Sequence, residues 1–195
     1  MNQKFNAIGE TKGPLPRNPI LPCPDDVQVE GETFTNVSDN KSVILFDQLI
    51  SKGIVRFEVL GVSSLCEVGI ADESVRFGRN EQPEAISAEK LVRFMHFGWF
   101  KHFGNWVKKN YKPFKNTDRV TLELNMDSNP RTLSFFVNDE EQKLYVVNVP
   151  PAVRFWVFLC GKFESFKILK FESVSSPVAN NGFLSRKCKW GNRWE

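Results

Sequence analysis

The sequence is poor in the residues on which most catalytic chemistry depends. Only two histidines, His96 and His102, occur in 195 residues. Both sit within FMHFGWFKHFGNW, and no nucleophile-elbow motif accompanies them, which argues against Ser- or Cys-based nucleophilic catalysis. They read as packed histidines with one hydrogen bond each. The four cysteines, Cys23, Cys66, Cys160 and Cys188, are widely separated without Cys-x-x-Cys spacing, so neither a zinc site nor a disulfide framework is signalled. Cys66 and Cys160 lie inside apolar runs and read as small core residues. There is no Gly-rich phosphate loop, and the Glu-x-Asp-x-Glu spacing of two-carboxylate glycosidases is missing. Glu123 and Asp127 stand four apart, but they read as a solvated strand face and a turn cap. No metal, cofactor or enzymatic activity is expected. No stretch approaches the roughly 20 apolar residues of a spanning helix, and the first ten residues lack the apolar run of a secretory signal. A soluble, cytoplasmic protein is the expectation.

What the sequence does contain is ring surface: 18 Phe and 5 Trp against 2 Tyr. Rings without a polar handle favour burial, so a large dry core is implied. Apolar residues at 41%, charged residues at 25% and a formal charge of +3 are ordinary for one globular domain. From Val27 to Glu172 the dominant pattern has period two. Val55, Phe57 and Val59 alternate with Arg56 and Glu58; Val120, Leu122, Leu124 and Met126 alternate with Thr121, Glu123 and Asn125. These predict half-buried antiparallel strands. Residues 132–138 follow across the turn Asp127, Ser128, Asn129, Pro130 as the second arm of a hairpin. Segments 143–149, 153–160 and 165–172 read as further strands.

No segment of ten residues carries a helical apolar stripe, so the crossover helices of a parallel sheet are missing. The fold class is therefore all-β, a two-sheet antiparallel β-sandwich of about ten to twelve short strands. Three parts are expected: a proline-rich extended leader over 1–26, the sandwich over 27–176, and a basic aromatic tail over 177–195, docked or free.

The run DRVTLELNMDSNPRTLSFFVND, 118–139, resembles the signature of the SPRY (B30.2/SPRY-like) domain: an acidic entry, an alternating strand, a hairpin and a Leu-Ser-Phe strand. GIVRFEV at 53–59 and EVGIAD at 67–72 look like that family's paired strands around a Val-Gly-Val-Ala element. AVRFWVFLCGK at 152–162 and FKILKFE at 166–172 look like its closing strands. The chain departs from the pattern at Thr117, Asp118 and at Asn138, Asp139, where the family has Gly-Asp and Asn-Gly. Asp tolerates positive φ, so the second turn is expected to survive. The resemblance implies an SPRY/concanavalin-like jelly roll that acts as a protein- or peptide-recognition module of adaptor type. It also implies possible membership of a larger multi-domain assembly such as a ubiquitin ligase.

Two regions are candidate binding surfaces. The loop DESVRFGRNEQPEAISAEK, 72–90, is long, charged and without period. The family places a ligand-contacting variable loop at this point, which maps onto Asp72, Glu73, Arg76, Phe77 and Arg79. Further along, Phe94, Phe97, Trp99, Phe100, Phe103, Trp106, Tyr111 and Phe114 interleave with Lys101, Lys108, Lys109, Lys112 and Lys115. Core and edge packing is the leading reading of this stretch; it adds Trp99, Lys101 and His102 as candidate partner contacts. The rival readings are a carbohydrate-binding, lectin-like sandwich, and stacking of single-stranded nucleic acid on 94–115. Loop 72–90 is net acidic and 96–119 net basic, a contrast able to orient an encounter.

Overall fold

The computed structural model describes residues 11–104, 106–108 and 111–194. Fifteen strands follow one another, with no α-helix among the described residues: β1 (Thr11–Pro14), β2 (Pro19–Ile20), β3 (Val27–Glu30), β4 (Thr33–Asn36), β5 (Ser42–Phe46), β6 (Ile54–Ser63), β7 (Glu67–Asp72), β8 (Leu91–Met95), β9 (Trp99–Lys101), β10 (Arg119–Asn125), β11 (Thr132–Val137), β12 (Glu140–Val147), β13 (Val153–Leu159), β14 (Ser165–Val174) and β15 (Arg186–Lys189). They form two sheets. The larger has the order β15-β12-β11-β10-β6-β14-β4-β3, with β1 also on β14; the smaller has the order β2-β5-β13-β7-β8-β9. Pairing is antiparallel except for β15, which runs parallel to β12. The strands beyond the expected ten to twelve come partly from the flanks: β1 and β2 lie in the leader and β15 in the tail.

The inner faces obey period two. Phe57, Val59, Leu122 and Phe135 of the larger sheet meet Phe46, Val68, Phe94 and Phe155 of the smaller in one buried cluster. Rings interlock between the layers, with Phe57 and Phe155 stacked at 5.0 Å and Phe94 edge-on to Phe135 at 5.5 Å. Each fully buried ring contributes about 1.5–3 kcal/mol, so this interior is the main source of stability. GIVRFEV and EVGIAD are not paired with each other, as the family likeness led one to expect. The chain crosses at 64–66, where Ser64 takes φ +49°, so β6 and β7 fall in opposite sheets and face each other through the core.

β6 and β10, expected to be half-buried, are buried on both faces over most of their length. On the outer face of the larger sheet Arg56, Glu58, Thr121, Glu123 and Ser134 are all buried. Cross-strand register sets Arg56 opposite Glu123 and Glu58 opposite Thr121, whose hydroxyl donates to Glu58 at 2.9 Å. Residues 178–181 then lie across this face as a strap. The Val178 and Ala179 N–H groups donate to Glu123 at 2.9–3.0 Å, those of Asn180 and Asn181 to Glu141, and the Ser134 hydroxyl to the Asn181 side chain. Glu123 is thus a tail anchor rather than a solvated residue, because backbone donors of the strap need an acceptor once water is excluded.

The outer face of the smaller sheet is closed as well. Val43, Leu45, Ala71, Leu91, Trp156 and Phe158 form a second apolar cluster, covered by Val75, Phe77 and Ile86 from the 72–90 loop. Trp156 stands opposite Gly69 across β13 and β7, where a Cβ would overlap the Val92 carbonyl oxygen and come within 2.8 Å of the indole. That close approach is why β7 carries glycine at this point. Asn138 and Asp139 both adopt positive φ, +51° and +66°, in the two-residue β11–β12 turn, as expected of a type I′ hairpin.

Candidate functional site

The 72–90 loop folds back onto the sheet instead of projecting from it. At its root Asp72 Oδ1 accepts from the Ser74 N–H at 2.9 Å and its hydroxyl at 2.6 Å. Glu73 is exposed, and its carbonyl takes Nη1 of Arg154 at 2.7 Å. Arg76 is exposed but turned on its own loop, with Nη1 donating to the carbonyls of Glu73 and Val75. Phe77 rests against Trp156, the centroids 6.4 Å apart. Arg79 grips buried Asp26 through two bonds of 2.8 and 3.0 Å, and this pairing holds the Asp26 carboxyl well below the usual range. Further on, Glu84 reaches Arg93 at 2.5 Å, and buried Arg93 in turn forms a two-bond fork with Glu67 at 2.7 Å. Burial pushes the Glu67 carboxyl up, against the pull of Arg93. Four of the five loop candidates therefore hold the loop down or pack beneath it: Asp72, Arg76, Phe77 and Arg79.

The 94–115 stretch divides by face. Phe94, Phe100, Tyr111 and Phe114 point into the core. Phe97, Trp99 and Trp106 lie outside it at the β9 edge of the smaller sheet, where Val107 bridges Phe100 through two backbone hydrogen bonds. Phe97 is 55% exposed, while Trp99 and Trp106 are half-buried. The rings run in series: His96 to Phe97 at 3.8 Å, Phe97 to Trp99 at 5.3 Å, Trp99 to Trp106 at 6.3 Å. Lys108 Nζ stands 4.3 Å from the Trp99 centroid and Lys101 Nζ 5.0 Å from that of Trp106, whose ring also meets Arg93 at 4.8 Å. Neither lysine is ion-paired with a described carboxylate. Lys109 lies outside the described residues.

His102 is buried, 1% exposed, and both ring nitrogens are engaged: Nδ1 donates to the Leu91 carbonyl at 2.7 Å, and Nε2 accepts from the Gly191 N–H at 2.7 Å. That pattern fixes the neutral Nδ1–H tautomer. Trp190 and Trp194 of the tail close on its ring at 4.7 and 5.2 Å. His102 is consequently a clasp for the C-terminal segment and not a surface contact. Among the described residues no group of three or more His, Cys, Asp or Glu side chains is arranged to hold a metal ion, and no helix is long and apolar enough to cross a membrane.

Register separates the two candidate surfaces. Glu67 pairs with Met95 and Met95 with Trp99, whereas Ala71 pairs with Leu91 beside the root of the loop. Trp99 and the loop root thus lie at opposite ends of β7, roughly 17 Å apart along the strand. Lys101 and His102 lie between them, lining a small cavity of about 60 Å³ with loop residues Pro83, Ile86 and Ala88.

Neither a protein-family profile nor a curated protein sequence matches the chain. Solved structures do. The SPRY domain of human HERC1 superposes with a TM-score of 0.59 at 20% identity, over 76% of this chain and 96% of that one. The TRIM65 PSpry domain gives 0.56 at 9% identity, over 73% and 85%. A carbohydrate-binding module, CBM66 of Bacillus subtilis, gives 0.49 at 12% identity, over 80% and 95%. This is an SPRY-like fold.

Within the SPRY-like sandwich, the sequence pointed to the aromatic edge only as a mixed composition. Its inward rings and outward rings share one stretch, and the outward ones emerge once β8 and β9 are paired. The Asp26–Arg79 and Glu67–Arg93 pairs span 53 and 26 residues and carry no local signature. The strap and the His102 clasp have none either, since 177–195 lacks period.

Proposed function

We propose that this SPRY-like sandwich is a protein-recognition module whose contact surface is the β8–β9 edge, centred on Phe97, Trp99 and Trp106. The carrying observation is the series of outward rings overlaid by Lys101 and Lys108, neither of them ion-paired with a described carboxylate. Rings on a rigid sheet edge offer apolar area with little entropy left to lose, the character of interface hot spots. Two ammonium groups lying over those rings favour a peptide that presents an apolar or aromatic anchor beside carboxylates. The exposed rim of the loop, Glu73 and Arg76, flanks the surface at the far end of β7.

Panning a random peptide-display library against the chain tests this reading. Acidic segments with an aromatic anchor should be enriched. Trp99→Ala should weaken the selected peptides by at least about tenfold, about 1.4 kcal/mol. Arg76→Glu should have the smaller effect. Capture indifferent to Trp99, Trp106 and Lys108 overturns the assignment. Selective glycan-array binding in place of peptides would favour the lectin-like alternative, and oligonucleotide binding that falls steeply with salt would favour the nucleic-acid one.

A further inference from the structure

A second site lies where the chain passes from β6 to β7, independent of the aromatic surface in its chemistry. A cleft of about 440 Å³ opens there, lined among others by Cys66, His96, Phe114, Lys115, Cys160 and Glu164. Its size falls in the range of small-molecule sites. Cys66 precedes β7 and Cys160 follows β13, which are antiparallel neighbours, so the sheet brings the two thiols to the same end. Cys66 is buried, but Cys160 is partly exposed in the cleft, contrary to the expectation that both are core residues. Both pack at the outer apolar cluster.

The surroundings of the two thiols differ. Cys160 Sγ donates to Glu164 Oε1 at 3.2 Å, while the other carboxylate oxygen accepts from the Cys160 N–H at 2.6 Å. The Cys66 carbonyl is fixed by the His96 N–H at 3.1 Å and lies 3.2 Å from His96 Nδ1. The nearby Cys66 thiol lowers the pKa of Cys160, against burial and the Glu164 carboxylate, and Cys160 together with burial raises that of Cys66.

We propose that Cys66 and Cys160 are a redox-active dithiol that reduces hydroperoxides entering this cleft, with Cys160 attacking and Cys66 resolving. Glu164 takes the Cys160 proton, and the thiolate attacks the terminal peroxide oxygen. The S–O bond forms as the O–O bond breaks, and the departing alkoxide collects the proton from Glu164 as an alcohol. Cys66 then attacks the Cys160 sulfur; the S–S bond forms, the S–O bond breaks, and the Cys66 proton leaves with the hydroxide as water. The sum is two thiols and a hydroperoxide giving a disulfide, an alcohol and water. Exchange with a small-molecule thiol restores the pair.

The test is to treat the reduced full chain with tert-butyl hydroperoxide and map it by mass spectrometry without reduction. The expected product has lost two hydrogens and carries one crosslink, Cys66 to Cys160, formed before Cys23 or Cys188 reacts. Cys66→Ser should leave a sulfenic acid at Cys160 that dimedone labels, and Glu164→Gln should slow crosslinking by at least about tenfold. Preferential oxidation of Cys23, or wild-type Cys160 proceeding to sulfinic acid without a crosslink, overturns the proposal. The wild-type map decides the matter even if a variant does not fold.

Discussion

Replacing Glu123 by Ala probes the least anticipated feature of the fold, the strap over the polar face. Glu123 is 2% exposed, and its carboxylate accepts from Val178 and Ala179 while facing Arg56 Nε at 3.6 Å. Truncation leaves two strap N–H groups without their acceptor, each costing about 1–3 kcal/mol if it stays dry. It also leaves the Arg56 guanidinium, buried against Phe136 at 5.8 Å, without its opposite charge. Breaking one side of such a buried pair costs about 3–5 kcal/mol, and part of that cost is shared with the orphaned donors. At about 2–4 °C per kcal/mol for a chain of this size, melting should fall by on the order of 6–20 °C. Glu123→Gln keeps the volume and one acceptor oxygen but no charge, so it should fall between wild type and Ala. Urea denaturation followed by tryptophan fluorescence gives the free energies, and limited proteolysis reports the strap, which should be cut first within 177–185. If Glu123→Ala melts within about 2 °C of wild type with its strap still protected, the anchoring account is wrong.

Other perturbations test the same framework. Because Asp26 is depressed in the folded state, its contribution is complete above the ordinary carboxylate pKa of about 3.9 and fades as pH falls below it. Asp26→Asn should remove that component of acid destabilisation, measured as urea midpoints from pH 7 to pH 3. Burial lowers the His102 pKa, against the Leu91 bond, so the clasp is fully stabilising above about pH 6.5 and weakens as pH falls through the folded value. Hydrogen exchange at Gly191 should therefore speed up between pH 7 and pH 5 beyond the intrinsic trend, and His102→Phe should abolish that pH dependence. Gly69→Ala should cost about 3 kcal/mol, because both the Val92 carbonyl and the buried Trp156 ring must move; an unshifted melting temperature contradicts the packing described. Phe77→Ala should lower stability by opening the cluster around Trp156, and Arg76→Glu also removes two bonds to loop carbonyls, so Glu73→Lys, which changes an exposed side chain, is the cleaner probe of the loop in binding.

The contrast between inner and outer faces explains how much could be read from sequence. Val120, Leu122 and Leu124 alternate with polar residues, and every one of them is in the core, so the sandwich and most of its hairpins were legible. Alternation reports only that one face is apolar. It cannot say whether the polar face meets water or another segment, and Arg56, Glu58 and Glu123 meet a segment. Their complementarity depends on the register of 54–63 against 119–125, which no local pattern encodes. Cys160 illustrates the same limit: the apolar run around it predicts burial, but it lies one residue past the end of β13, where the wall of the sheet gives way to the cleft.

Covering of the outer faces also narrows where recognition can occur. The strap occupies the part of the larger sheet's polar face around Glu123, Ser134 and Glu141, and the 72–90 loop occupies the apolar face of the smaller one. Large exposed apolar side chains remain among the described residues at Val29, Val62, Phe97, Phe163, Phe183 and Leu184. Phe163 has Lys162 at 5.3 Å but no aromatic neighbour among the ring contacts of the described residues, and Phe183 and Leu184 sit together at a turn of the tail. Phe97 alone continues into a series of further rings, with cations over Trp99 and Trp106 and a paired strand beneath. A docking partner gains most where apolar area is contiguous and already rigid, since scattered side chains must each be ordered on binding. By that criterion the β8–β9 edge is the surface we propose for recognition.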